Sequence, residues 1–284
     1  MKGQSDIILS IITPTFNSER FVERCLTNVI EQEVTGIEHL VMDGLSKDNT
    51  VSIVEQFAEQ HNHIRLVSEK DSGQSNAMNK GIERAHGKFI CFLNVDDYFE
   101  PEALSFALEQ LKECTDRDIL VGNCNVVDIN GKLKTVRVPS DCGYPQILEF
   151  WRGDVFPPNP SSYFYARHLH DLAGLYDEDE HYVLDYEMMI RLLKVGEVKY
   201  LDRTLGNFVL HEDTKTHINS SAGIRITKLE VFQRYIKELS ALQRLQLQLG
   251  FFYHMRLMRS NHPVIFFGMR PFYAIRRMFQ KIFQ

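Results

Sequence analysis

At 284 residues, 44% of them hydrophobic and 25% charged, the chain has room for one large or two small globular domains around a sizeable core. No run approaches the ~18 apolar residues of a membrane span, and the five cysteines (Cys25, Cys91, Cys114, Cys124 and Cys142) form no CxxC pair. The net charge of −6 is unevenly placed: no Asp or Glu follows Glu238, and the last 46 residues carry seven cations, so residues 1–238 hold −13.

In chain order, residues 1–6 are polar and 7–12 are only a strand's length, so no secretory leader is expected and the cysteines read as reduced thiols of a cytosolic protein. Residues 7–13 read as a strand. Residues 18–32 have helical period, with Phe21, Cys25, Leu26 and Val29 on one face and Ser18 as the cap. A strand at 38–43, a helix at 46–60 and a strand at 64–67 follow. The helix at 74–86 turns Ala77, Met78, Gly81, Ile82 and Ala85 inward. Residues 88–93 read as a strand, and 101–112 as a helix with Pro101 in its first turn. This alternation predicts a mostly parallel central sheet covered on both faces.

Past Ile119 the pattern changes. Residues 119–121, 123–129 and 132–138 read as short strands, the last two joined by the hairpin signal Asn130-Gly131. Residues 153–162, with three prolines, read as loop, 184–195 as a helix, and 198–201 and 206–210 as strands. From about Ala222 the chain reads as helical. There is no internal repeat and no low-complexity tract.

Four strands of the first half end in polar residues: Thr13-Pro14-Thr15-Phe16-Asn17, Asp43-Gly44-Leu45-Ser46-Lys47-Asp48, Asp71-Ser72-Gly73-Gln74 and Asn94-Val95-Asp96-Asp97. In a parallel sheet these ends share one edge, where open α/β folds bind ligands. Each alone is equally a turn. The adjacent acids Asp96 and Asp97 repel one another, and a divalent cation already holding phosphates is the usual reason to keep them. No GxGxxG follows the first strand and no GxxxxGKS/T occurs, which speaks against dinucleotide and P-loop sites.

In order and spacing, these segments resemble family 2 glycosyltransferases over about residues 7–130, and more loosely to about 220. The resemblance implies an α/β GT-A fold, with a Rossmann-like, mostly parallel central sheet flanked by helices and a C-terminal helical extension. The expected regions are a nucleotide-sugar half at 1–125, an acceptor half at 126–221 and a basic, aromatic extension at 222–284. The activity implied is inverting transfer of a sugar from a nucleotide diphosphate sugar, expected to be UDP-linked. On this resemblance Pro14, Thr15, Phe16 and Asn17 border the nucleobase, with Phe16 against the ring. Asp43, followed by Gly44, accepts a hydrogen bond from the base imide. Asp71, Gly73, Gln74 and Lys80 lie near the nucleotide, and Asn94 and Asp96 face the diphosphate. Mg2+ or Mn2+ is held by Asp97 and Asp96, with Asp97 the expected direct ligand.

The segment from Leu184 to Leu192 resembles the family's base-bearing segment and puts Asp185 in the place of the general base. Spacing agrees, since Asp185, Met189 and Leu192 share a helical face and Asp185 ends an apolar stripe. A helix cap is the other reading of Asp185. Glu187, four residues before Arg191, reads as half of a surface ion pair. In an inverting transfer such a carboxylate removes the proton of the attacking hydroxyl. His211, at the end of the last predicted strand, stands where the family's histidine approaches the metal, although Phe208-Val209 replace the arginine expected beside it. His168 and His170 lack a third ligand and read as surface helix residues.

In residues 271–284, Phe272, Ile275, Phe279, Ile282 and Phe283 form one stripe while Arg276, Arg277 and Lys281 face away. A basic helix of this kind reads as lying on an anionic membrane surface, or else as a C-terminal helix docked to the core with its arginines solvated. The upstream stripe Leu242, Leu245, Leu249, Phe252 and Met255 extends it or packs on the domain. The expectation is a cytoplasmic protein, peripheral on the inner face of the cell membrane, that acts on a glycan or lipid-linked acceptor in cell-surface polysaccharide synthesis. The acidic body speaks against nucleic acid. Two rivals are a sugar-phosphate nucleotidyltransferase, which wants a Gly-rich, Arg-bearing loop that residues 13–18 lack, and a catalytically idle nucleotide-sugar-binding or membrane-scaffold protein.

Overall fold

Four parallel strands carry the polar ends identified above. In the computed structural model, which describes residues 7–153, 155, 159–212, 214 and 221–260, β1 (Leu9–Thr15), β2 (Ile37–Asp43), β3 (Ile64–Ser68) and β4 (Phe89–Phe92) pair in parallel in the order β3-β2-β1-β4. Every residue of β1, β2 and β4 is buried, as strands covered on both faces require. The crossovers are α1 (Val22–Ile30), α2 (Thr50–Gln60) and α3 (Gln74–Arg84). Val22 and Leu26 of α1 meet Val41, Val54 and Ile64 in a closed apolar cluster. Each such side chain contributes roughly 1.5–3 kcal/mol by its burial.

Two helices begin four residues later than their periodicity predicts, for one reason. Ser18, Ser46 and Asp48 spend their side chains on loop hydrogen bonds instead of extending a helix. Ser18 Oγ donates to the Phe16 carbonyl (3.2 Å), Ser46 Oγ to Asp43, and Asp48 Oδ1 accepts from Thr50 N (3.0 Å).

The second half continues the same sheet. After β5 (Tyr98–Phe99) and α4 (Ala103–Leu111), β6 (Asp118–Asp128) and β9 (Glu197–Leu210) run side by side in parallel, each one long strand where two short ones were expected. β7 (Leu133–Arg137) is the hairpin partner of β6, turned at Gly131 (φ 78°). β8 (Tyr163–Ala166), absent from the predicted elements, inserts between β4 and β6 antiparallel to both. Among the described residues the sheet has nine strands, in the order β3-β2-β1-β4-β8-β6-β9-β5 with β7 on β6. α5 (Leu169–Ala173) and α6 (Leu184–Val195) precede β9.

Residues 1–232 form one compact unit and 233–284 a second. Both expected halves therefore supply strands to a single sheet. The division falls within α7 (Ser221–Tyr235), and α8 (Ala241–Ser260) belongs to the second unit. The stripe expected in residues 271–284 lies outside the described residues. Among the described residues no helix is long and apolar enough to cross a membrane. None of the five cysteines is in a disulfide, and burial pushes the Cys25 thiol up to about 12.

Candidate active site

The ends of β1, β2 and β4 and the start of α3 border a cleft of about 1400 Å³, closed on its other side by residues 181–186, Phe208, His211 and Lys228. The loop after β1 is clipped to the loop after β2. Asn17, at φ 50°, accepts from Lys47 N through Oδ1 (2.8 Å), its own N donates to Ser46 Oγ (2.8 Å), and Gly44 N donates to the Thr15 carbonyl (3.0 Å). This loop holds Phe16 58% exposed on the cleft wall beside Pro14 and Thr15. A large aromatic held open in a bonded loop is a stacking surface.

Glycines let the next two motifs close on each other. A Cβ at Gly44 would stand 2.5 Å from Asp71 Oδ2, so only glycine permits that approach. Asp71 Oδ1 in turn accepts from Gly73 N (3.0 Å), and Gly73, at φ 136°, opens α3 at Gln74. Asp71, Gly73 and Gln74 all line the cleft.

Two expected nucleotide contacts stand elsewhere. Asp43 is buried and does not line the cleft. Its carboxylate accepts from Ser46 N (3.1 Å), Ser46 Oγ and Ser68 Oγ (2.7 Å), and so braces the loop beneath Gly44. Lys80 Nζ donates to the Lys70 carbonyl (2.6 Å) and pairs with Glu69 (3.2 Å), outside the cleft. The cations that do line it at this end are Arg20, Lys47 and Lys70.

The acid pair has divided surroundings: Asp96, not the expected ligand Asp97, is the one that reaches the cleft. Asp97 is wholly buried: Oδ1 accepts from Val209 N (2.9 Å), and Oδ2 from the side-chain amides of Asn94 (3.0 Å) and Asn159. Burial, and then the neighbouring Asp96 charge, push its carboxyl well above the usual range. Asp96 lines the cleft, with Oδ2 2.8 Å from His211 Nε2. The His211 ring rests on Phe21 at 4.8 Å between centroids. Arg24 stacks over Phe21 and Tyr98 and donates to the Asp96 carbonyl. The Asp96 carboxylate supplies the oxygen that Mg2+ or Mn2+ takes, the His211 imidazole would add a nitrogen better suited to Mn2+ than to Mg2+, and either ion completes its shell with substrate phosphates and water. Among the described residues no group of three or more His, Cys, Asp or Glu could hold a metal, so the donor's phosphates would have to supply the rest.

Asp185 is the second residue of α6 and lines the cleft; the cap position belongs to Val183. The helix dipole favours a negative charge in this first turn. Met189 and Leu192 are buried, as the stripe predicts, Leu184 and Met188 are buried as well, and the Tyr186 hydroxyl donates to the Ile147 carbonyl (3.0 Å). The Glu187–Arg191 pair forms (2.7 Å), yet it is not a surface pair. Glu187 is 3% exposed, and Arg191 also donates to the carbonyls of Ala173 and Leu175. His170 also departs from the surface reading, being buried between the Tyr165 hydroxyl (3.1 Å) and the Gly174 carbonyl (2.9 Å).

Residues 10–283 match the model of the family described as glycosyl transferase family 2. The chain belongs to that family. The family 2 chain is 28% identical over 207 residues to a chondroitin synthase of Pasteurella multocida (strain Pm70), a match covering 72% of this chain but only 21% of that relative's length. The crystal structure of S. aureus TarS 1-349 in complex with UDP-GlcNAc covers 89% of this chain and 74% of that one, at TM-score 0.67 and 20% identity. The mannosyltransferase PcManGT from Pyrobaculum calidifontis, in complex with GDP-Man and Mn2+, covers 94% and 79%, at TM-score 0.61 and 16% identity. At such identities the likeness establishes the fold, which is GT-A.

In this family 2 domain one cleft gathers Pro14, Thr15, Phe16, Asn17, Gly44, Asp71, Gly73, Gln74, Asn94, Asp96, Asp185 and His211. Asp43, Lys80 and Asp97 stand outside it. Asn159, Tyr182, Arg137 and Lys228 line it without having been singled out in the sequence. Tyr182, 56% exposed and three residues before Asp185, was the most accessible of these by position.

Proposed function

We propose that the chain is an inverting glycosyltransferase that moves a sugar from a UDP-linked donor to a hydroxyl of a glycan or lipid-linked acceptor. The observation that carries this reading is one cleft that brings Phe16, the Asp96–His211 pair and Asp185 together from opposite halves of the chain. Phe16 packs on the nucleobase, and the loop of Asp71 and Gly73 borders the ribose and phosphates. Asp96 and His211 would hold Mg2+ or Mn2+, a charge that offsets the departing diphosphate when bound. Asp185 takes the proton of the acceptor hydroxyl as its oxygen attacks the anomeric carbon opposite the leaving group. One carbon–oxygen bond forms as the bond to the phosphate oxygen breaks, and the electron pair leaves with the nucleotide. Asp97 and Asp43 do not touch substrate in this reading; they fix the loops that do.

A second part of the proposal concerns location. In α8, Leu242, Leu245, Leu249 and Phe252 are 52% to 67% exposed, while Leu247 on the opposite face is buried. Arg244 and Arg256 lie on the same helix, and no acid follows Glu238. An exposed apolar face among cations and without carboxylates suits an anionic lipid surface, which fits a cytoplasmic enzyme working at the inner membrane face.

A thermal-shift panel of UDP-, dTDP- and GDP-sugars with Mn2+ tests the donor assignment. The UDP-sugars are expected to stabilise most, by roughly 2.7 kcal/mol at a hundredfold excess over Kd. Stabilisation by GDP-sugars alone, or by none, contradicts it.

A further inference from the structure

Arg137 ends β7 and Lys228 stands on α7, and both line the cleft on the side built by the second half of the chain. Lys228 Nζ lies 5.2 Å over the ring of Tyr186, the residue next to Asp185. Burial, and then the positive charge of Arg137, hold the Lys228 ammonium below its ordinary range, and no carboxylate offsets them. Among the described residues neither cation has an acidic partner. Lys228 is partly withdrawn from water, while Arg137, exposed at the end of β7, adds a like charge to the same wall, and an anion between the two would offset both. The donor end of the cleft already has its own cations, Arg20, Lys47 and Lys70. The second pair instead stands on second-half elements, with Lys228 over the residue that follows the base.

We infer that Arg137 and Lys228 form a subsite for an oxyanion on the acceptor, a phosphate or a uronate carboxylate, next to the hydroxyl that Asp185 deprotonates. Arg137 supplies a planar fork that matches either oxyanion, and Lys228 a point charge. The inference rests on the acceptor reading above and names the class of acceptor: an acidic glycan or a phosphate-bearing one.

Calorimetry with three probes that differ only at C6 tests it: methyl β-D-glucoside, methyl β-D-glucuronide and methyl β-D-glucoside 6-phosphate. Each is titrated with and without saturating UDP and Mn2+, so that the donor's own phosphate contacts are occupied in one arm. With UDP present, at least one anionic probe is expected to bind about tenfold more tightly than the neutral one, the size of a charge-assisted hydrogen bond. Whichever anionic probe gains more assigns carboxylate or phosphate. In Lys228→Met and in Arg137→Gln the gap is expected to shrink to about twofold, with UDP affinity unchanged. No anionic preference in the wild type, or a gap that survives both substitutions, overturns the subsite. Failure of the wild type to bind UDP overturns the donor reading instead, and the arm without UDP still reports the anion preference.

Discussion

Asp96 and Asp97 are adjacent in sequence and opposite in environment. Asp96 meets His211 at the cleft wall, whereas Asp97 is buried among three donors whose partners lie as far as 112 residues away. Asp96→Asn is expected to keep the melting temperature within about 2 °C while losing the Mn2+-dependent part of nucleotide stabilisation, since the amide oxygen can still accept from His211 and the charge beside buried Asp97 is removed. Asp97→Ala leaves Val209 N and the amides of Asn94 and Asn159 unpaired at about 1–3 kcal/mol each, and is expected to lower the melting temperature by roughly 10 °C. Calorimetric scans with and without Mn2+ and UDP check both, and the opposite pattern would contradict the division of roles. Sequence pattern located this loop and not its orientation, because the groups that bury Asp97 come from β9 and the loop before β8. The bracing of Asp43 was unreadable for the same reason, since Ser68 lies 25 residues on. His39 gives a pH test. Burial, then the charge of His63, hold its imidazole down to about 3, and burial holds His170 down to about 4. The unfolded chain takes up those protons near pH 6.5, so the stability of the neutral folded form is present above 6.5 and lost as pH falls toward 4. The urea midpoint is expected to fall steadily below pH 6.5, with a shallower slope in His39→Gln; a midpoint flat to pH 5 contradicts this.

Among the elements, those governed by local pattern were legible and those governed by distant pairing were not. The buried strands β1, β2 and β4 and the amphipathic α1, α3 and α6 need only their own residues to be recognised. β8 is four residues, Tyr163–Ala166, with no period to read, and exists because β4 and β6 offer it edges on both sides. β6 looked interrupted because it contains Gly122. That glycine is required by close packing, as a Cβ there would stand 2.4 Å from Leu205 Cδ1 on β9. Gly122→Ala is accordingly expected to cost about 1–3 kcal/mol, read as a lower urea midpoint; an unchanged midpoint would show that Leu205 yields freely. α8 carries the membrane proposal. Joint replacement of Leu245, Leu249 and Phe252 by Ser is expected to cut co-sedimentation with anionic phosphatidylglycerol vesicles severalfold while leaving UDP binding intact. Equal sedimentation of variant and wild type would remove α8 from any membrane contact.

Across the whole molecule the site depends on bringing distant segments to one edge. Phe16, Asp71 and Asp96 come from the parallel half. Asp185 and His211 come from beyond β8, which runs antiparallel to β4 and away from this rim; Asp185 returns to it in the first turn of α6 and His211 at the end of β9, which runs with β4. The motifs of the first half were readable as a set because their order and spacing are local to each strand end. The cationic pair Arg137 and Lys228 was not, since 91 residues and most of the second half separate its members. The most direct test of the reaction centre is Asp185→Asn, assayed for transfer from the UDP-sugar selected in the donor panel and, in parallel, for nucleotide binding with Mn2+. Transfer is expected to fall about 10²- to 10⁴-fold, the usual contribution of a general base, with nucleotide stabilisation unchanged. Transfer at the wild-type rate would contradict the assignment of Asp185 and, with it, the proposed reaction centre.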